Sequence, residues 1–257
     1  MAKVDKGAVK AVKTEETDGK AKSGLFVAIV RHGDYHQLPD TPSAHQPFAL
    51  NEEGEFQARS GGQDIARFIK ENRIDLHTEI DSSNLLRAWQ TAKIMAGQIA
   101  PQGASFSVQG FDDLAERCVG SLANLTTRQI ESILAGDPRF ESPPADWKSN
   151  SHYQLPTQGA ESLLQAGERV ARHITRRMQQ LQIEQAASGR GLLKVFVGHG
   201  AALRHAACVM GILEFDQIAG LSMYHARPVY FEYSPDGEWR QVDGEWKVRG
   251  LKSSYTD

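Results

Sequence analysis

The sequence predicts an α/β protein, a three-layer α/β/α sandwich around a mostly parallel central sheet. Two matching apolar runs carry this expectation. Leu25 to Val30 (LFVAIV) and Leu192 to Val197 (LLKVFV) read as strands buried on both faces, as central parallel strands are. The stretches between strands show helical apolar spacing. Strands and helices alternate along the chain, which is the α/β pattern.

Taken in order, residues 1–24 are rich in Lys, Gly, Ala and Thr and nearly free of large apolar residues. Such a segment buries too little surface to offset its ordering entropy, so it is predicted as a disordered tail. The domain is expected over residues 25–257. After the first strand, Asn51 to about Glu71 is a helix with Phe56, Ile65, Phe68 and Ile69 at helical spacing and Asn51 as N-cap. Weaker strands are expected at Leu76 to Asp81 and Ser105 to Val108, with a helix Leu85 to Ile99 between them. Ala160 to about Ala187 is a long amphipathic helix, and Ala201 to Met210 a shorter one. Pro228 to Ser234 and Trp239 to Val242 flank Pro235-Asp236-Gly237 and read as a hairpin. The proline-rich stretch at about 118–159 is expected to be a short helix plus a long loop. A connection that long in a compact domain is usually functional, so it reads as a cap over the site.

Composition bounds the function. The chain has 257 residues, 40% of them hydrophobic, with Lys+Arg 29 against Asp+Glu 32 and a net charge of −3. That balance does not fit a general nucleic-acid or membrane-surface binder. Two cysteines exclude a disulfide framework and a Cys-rich zinc module. No apolar run reaches the roughly 18 residues of a membrane helix, and there is no secretory apolar stretch. A cytoplasmic location is expected.

Each of the two strong strands ends in a His-Gly pair, Arg31-His32-Gly33 and Gly198-His199-Gly200. Ligands of open α/β sheets bind at the carboxyl ends of the strands. If the two strands are neighbours, His32 and His199 face one crevice. The helix from Ala201 then points its N-terminal N–H groups toward an anion there. Arg31 adjoins His32. Arg87 sits in the first turn of a helix, where a cation opposes the macrodipole and so suggests an anion. Glu116, in Leu114-Ala115-Glu116-Arg117, is a carboxyl group that can act as a proton donor. The remaining histidines show no metal-ligand spacing, and neither a metal nor another cofactor is expected.

R-H-G after the first strand, S-S-N-L-L-R-A-W-Q-T-A around Arg87, L-A-E-R at Glu116 and V-G-H-G at His199 together resemble the histidine phosphatase superfamily. The resemblance is to its phosphoglycerate mutase-like branch 1, over Leu25 to about Arg240. It implies a phosphoglycerate mutase-like fold and a metal-independent phosphatase acting on phosphomonoesters. His32 resembles the nucleophile that forms a phosphohistidine. Arg31, Arg87, His199 and Gly200 resemble the phosphate pocket, with His199 protonated. Glu116 resembles the general acid, then base. The substrate is then a phosphorylated small molecule or phosphoprotein. Related proteins often form dimers, so the resemblance admits a homodimer.

Departures bear on the reaction. Mutases read E-R-x-Y-G where this chain has Glu116-Arg117-Cys118-Val119-Gly120, and Val119 offers no hydroxyl. They carry an arginine pair in the middle insertion, where this chain has Pro143-Pro144. Both favour hydrolysis over the alternative of a mutase-type phosphotransferase. The other alternative, a non-catalytic scaffold of this fold, usually lacks the nucleophile or an arginine, and here all are present. R-H-x-x-Y-H at Arg31 to His36 and P-P-A-D-W-K at Pro143 to Lys148 resemble the protein-phosphatase subgroup typified by the mitochondrial phosphoglycerate-mutase-like protein 5. Tyr35, His36 and Trp147 are candidates for the pocket mouth, and Glu161 for substrate contact.

Overall fold

The computed structural model describes residues 22–99, 106–185 and 189–250. Most of the expected tail, residues 1–21, lies outside them. The strands are β1 (Leu25–Arg31), β2 (Asp75–Leu76), β3 (Glu79–Ser83), β4 (Ser107–Phe111), β5 (Leu192–Gly198), β6 (Leu221–Ser222), β7 (Val229–Tyr233), β8 (Trp239–Asp243) and β9 (Lys247–Val248). The helices are α1 (Glu52–Asn72), α2 (Leu86–Ile99), α3 (Thr127–Gly136), α4 (Leu163–Gln185) and α5 (Gly200–Val209).

The main sheet runs β4-β3-β5-β1-β7-β8, with β2 also on β5. Its centre is parallel, and β7 and β8 add an antiparallel edge. Side chains alternate across β1. Leu25, Val27 and Ile29 pack with α4 and α5, and Phe26, Ala28 and Val30 pack with α1 and α2. Both faces are covered, which is why the two apolar runs carry no polar alternation. The neighbours share a register in which Arg31 pairs Gly198, so the next residues, His32 and His199, emerge side by side.

Several boundaries move for local reasons. Asn51 caps α1 as expected, accepting the Gly54 N–H. The long helix begins at Leu163, not Ala160, because Ser162 and Gln165 form a capping box: the Ser162 hydroxyl accepts the Gln165 N–H and Gln165 Oε1 accepts the Ser162 N–H. Its expected end at Ala187 lies outside the described residues. The expected strand Leu76 to Asp81 divides into β2 and β3, and β3 continues through the buried Ser82 and Ser83. β4 starts at Ser107, and Ser105 lies outside the described residues. The hairpin forms as β7 and β8, with Gly237 at positive φ in its turn.

Within 118–159, α3 packs on a small separate core. Val119, Leu122, Ile130, Leu134, Trp147 and Leu155 are buried there together with Ala44. Trp147 is therefore a packing residue of this segment rather than part of a pocket mouth.

Candidate active site

His32 and His199 follow the paired ends of β1 and β5, and their ring centroids are 5.0 Å apart. The His32 backbone N–H donates to the Gly198 carbonyl at 3.0 Å, tying the two strand ends together. The turn after His32 is tight. A Cβ on Gly33 would lie 2.4 Å from the Gly54 carbonyl oxygen, so glycine permits the loop to seat on the start of α1.

The hydrogen bonds fix the tautomer of each ring. His32 Nδ1 lies 2.7 Å from the Gly33 carbonyl oxygen, which can only accept, so Nδ1 carries the proton. His32 Nε2 receives the Arg87 Nε–H at 3.2 Å, so Nε2 holds the lone pair. His199 Nδ1 faces the Arg87 Nη2–H at 3.2 Å and Nε2–H donates to the Ser83 hydroxyl at 3.0 Å. Burial, and then the guanidinium of Arg87, push both imidazoles well below their usual range. His199 is thus neutral in this frame, which corrects the expectation of a protonated partner. It is buried and already faces two arginines, so the charged form is disfavoured.

Arg87 is the hub. It is fully buried in the first turn of α2, as expected. Its Nη1 donates to the Gln46 carbonyl at 2.8 Å, and Nη2 to Ser43 at 2.8 Å and Ala44 at 3.3 Å. Burying an unpaired guanidinium costs several kcal/mol. Here three carbonyls and two imidazole nitrogens surround it. Tyr35 lies beneath, with the guanidinium 4.6 Å from its ring centre and His32 edge-on at 5.3 Å. Tyr35 is therefore in the floor of the site rather than at its mouth, and His36 is exposed beside it. Arg31 donates from Nη1 to the Met223 carbonyl at 3.1 Å. Its side chain also runs past Gly200, where a Cβ would meet Arg31 Cδ at 3.1 Å.

Glu116 is buried and lies at the N-terminus of α5. Its Oε1 accepts from Arg117 N at 2.9 Å and Ala202 N at 3.1 Å, and its Oε2 from Ala201 N at 3.4 Å. The N–H groups at the start of α5 that were expected to face an anion turn to the Glu116 carboxyl group. Oε2, with one long contact, is the oxygen open to proton exchange.

Glu161 is engaged elsewhere. Both of its oxygens take 2.8 Å bonds from Arg169, and Oε2 also takes the Cys118 N–H at 3.1 Å. Arg169 in turn donates to the carbonyls of Asp112, Asp113, Ala115 and Glu116. Glu161 therefore faces the loop that holds Glu116.

Sequence reasoning also missed His225, whose ring is 5.8 Å from that of His32. It arrives on the connection before β7, where the Ala226 N–H bonds the Arg31 carbonyl and Ala226 adopts positive φ. No local pattern marks it. Ser83 stood next to the Arg87 motif, and its pairing with a histidine was the missing signal.

The sequence profile of the histidine phosphatase superfamily (branch 1) matches residues 27–243. The chain belongs to this superfamily. A curated relative is "Serine/threonine-protein phosphatase Pgam5, mitochondrial" of Drosophila virilis, 25% identical over 221 residues. The match covers 84% of this chain and 61% of the relative, so the chain spans less than two thirds of that protein. Among solved structures, a mycobacterial glucosyl-3-phosphoglycerate phosphatase superposes with a TM-score of 0.61 at 20% identity, covering 84% of this chain and 96% of its own. The alpha-ribazole phosphatase of Shigella flexneri superposes with 0.60 at 16% identity, covering 89% and 100%. The predicted phosphoglycerate mutase-like α/β sandwich is thus the fold, and the expected membership of this superfamily is met.

Proposed function

We propose that the protein is a metal-independent phosphomonoesterase that works through a phosphohistidine on His32. The observation that carries this reading is the fixed tautomer of His32, with Nε2 unprotonated and a buried arginine beside it. A neutral imidazole is a competent nucleophile near pH 7.

Nε2 attacks phosphorus and the bond to the leaving oxygen breaks. Glu116 Oε2 delivers a proton to that oxygen. The Arg87 N–H held by Nε2 is released to a phosphate oxygen, and Arg31 supplies a second cation. Phosphoryl transfer asks chiefly for such positioning and neutralisation of oxygens. In the phosphohistidine, the Gly33 carbonyl accepting Nδ1–H stabilises the positive imidazole. Water then attacks phosphorus, gives its proton to Glu116, and the neutral His32 ring leaves. Val119, buried where mutases carry a tyrosine, favours water over a sugar hydroxyl as the second acceptor.

The test is hydrolysis of p-nitrophenyl phosphate with EDTA present, for wild type and His32→Ala, with acid-quench trapping of 32P-labelled protein. Activity that survives EDTA and vanishes with the label in His32→Ala is expected. Unchanged activity in His32→Ala would remove His32 as nucleophile.

A further inference from the structure

The loop that carries Glu116 meets the loop that seats Arg87 through a pair of side chains. Cys118 Sγ lies 3.1 Å from His45 Nε2. Cys118 follows Glu116 closely in the chain, and its backbone N–H and carbonyl both bond Glu161. His45 stands between Ala44 and Gln46. The carbonyls of Ser43, Ala44 and Gln46 are the ones that receive the Arg87 guanidinium. The contact therefore joins the proposed acid to the seat of the proposed phosphate-binding arginine. The phosphatase mechanism above uses neither side chain.

The pair sets a nucleophile beside a base. The sulfur accepts the Gly120 N–H at 3.2 Å, and its own proton is within reach of His45 Nε2. A thiol is a weak nucleophile until a neighbouring base takes its proton, and a Cys–His contact of about 3 Å provides that base. The Gly120 N–H faces the sulfur on which negative charge then develops. His45 is exposed and Cys118 is half-buried, so a small reagent reaches the sulfur from solvent. The other cysteine is set differently. Cys208 is also half-buried, but burial and then the Glu214 carboxylate push its thiol up, which keeps the reactive thiolate scarce.

We propose that Cys118 and His45 form a thiol switch, in which a hydroperoxide oxidises Cys118 and opens the contact between the two loops. The sulfur attacks one peroxide oxygen and the O–O bond breaks. The thiol proton passes through His45 to the departing hydroxide. The products are a sulfenic acid and water, with sulfur oxidised and peroxide reduced. The added oxygen must enter the 3.1 Å gap or turn the side chain away from His45. Either movement pulls on the backbone next to Glu116 and on the carbonyls around Arg87. A sulfenic acid is reduced again by thiols, so the change is reversible. The modification itself goes beyond the phosphatase reading, and only its effect on turnover rests on it.

The experiment treats the full chain with limiting hydrogen peroxide, traps sulfenic acid with dimedone and locates the adduct by peptide mass analysis. The adduct is expected on Cys118 ahead of Cys208. It should form about tenfold more slowly in His45→Gln, the scale of one charge-assisted hydrogen bond. Hydrolysis of p-nitrophenyl phosphate should fall in step with oxidation of Cys118 and return with dithiothreitol. Cys118→Ser should keep its turnover and lose its sensitivity to peroxide, and Cys208→Ser should behave as wild type.

An adduct on Cys208 at least as fast as on Cys118, or an unchanged rate in His45→Gln, would overturn the reactive pair. Complete oxidation of Cys118 with turnover unchanged, or inactivation that persists in Cys118→Ser, would overturn the switch while leaving the phosphatase reading intact. No turnover in the untreated protein would overturn the phosphatase reading, and the dimedone adduct would still decide whether the pair is reactive.

Discussion

Arg87 Nε lies 3.2 Å from His32 Nε2, while the opposite nitrogen of the ring is bound to the Gly33 carbonyl at 2.7 Å. One arginine therefore both keeps Nε2, the proposed nucleophile, unprotonated and is a cation beside the phosphate it would attack. The same guanidinium reaches His199 and three carbonyls of the 43–46 loop. A lysine has neither the fork nor the reach to keep these contacts. Arg87→Lys is expected to lower kcat/KM for p-nitrophenyl phosphate by about a hundredfold or more, the scale of losing one preorganised donor. A loss below about fivefold in a folded variant, checked by circular dichroism, would show that Arg87 has no part in the chemistry.

The buried histidines set the pH dependence. Burial and neighbouring arginines hold the His32 and His199 pKa values well below 6.5 in the folded protein. Above about 6.5 neither the folded nor the unfolded state binds these protons. Below it the unfolded imidazoles take them up and the folded ones refuse, so stability falls as pH falls. Each group contributes up to about 1.4 kcal/mol per pH unit in that window. Urea midpoints should decline from pH 7.5 to 5.5, and more gently in His199→Gln. The acid limb of kcat/KM should also lie below the about 6.5 of a free imidazole. A limb at or above that value would contradict the neutral nucleophile.

Local signals in the sequence mark some of these elements, and contacts distant in the chain set the others. The neighbouring strands β1 and β5 were legible because their apolar runs stop at matching His-Gly pairs, and burial on both faces leaves no polar alternation. Asn51 was legible because a cap is a relation between residues three apart. The edge strand β4 was misplaced because it is only half-buried, so packing imposes little pattern on it. Ser82 and Ser83 lie beyond the strand expected to end at Asp81, and they close β3. The Ser82 hydroxyl donates to the adjacent Ser83 carbonyl, and the Ser83 hydroxyl pairs with His199, distant in the chain. Glu161 was weighed as a substrate contact because nothing in the sequence ties it to Arg169 or to the Cys118 amide.

That pair has its own consequence. Arg169 holds four carbonyls from Asp112 to Glu116, and Glu161 holds both Arg169 and the Cys118 amide. The loop bearing Glu116, the proposed general acid, is thus pinned on both sides of Glu116, to Arg169 of α4 and to Glu161 just before that helix. Arg169→Met should misplace Glu116 without touching His32. A misplaced acid matters most for poor leaving groups, so the loss should be about tenfold greater for an alkyl phosphate than for p-nitrophenyl phosphate. Glu116→Gln should show the same leaving-group bias. Equal losses for the two esters in Arg169→Met would reduce Arg169 to a structural tie.

Two glycines flanking the site should respond differently to the same methyl group. At Gly33 the added Cβ would lie 2.4 Å from the backbone oxygen of Gly54. Backbone cannot swing aside, so Gly33→Ala must shift the start of α1 or the turn bearing His32. The expected cost is about 1–3 kcal/mol of stability, with activity lost alongside. At Gly200 the atoms nearest the added Cβ all belong to Arg31, with Cδ at 3.1 Å and Nε at 3.3 Å. That side chain gives way by a few tenths of an ångström, so Gly200→Ala should leave the unfolding midpoint nearly unchanged. Its effect should fall on Arg31 and hence on anion affinity. The Ki for inorganic phosphate is expected to rise by about three- to tenfold, as for a strained charge-assisted contact. An unchanged Ki in a protein shown to be folded would place Arg31 outside the phosphate-binding set and leave Arg87 as its main cation.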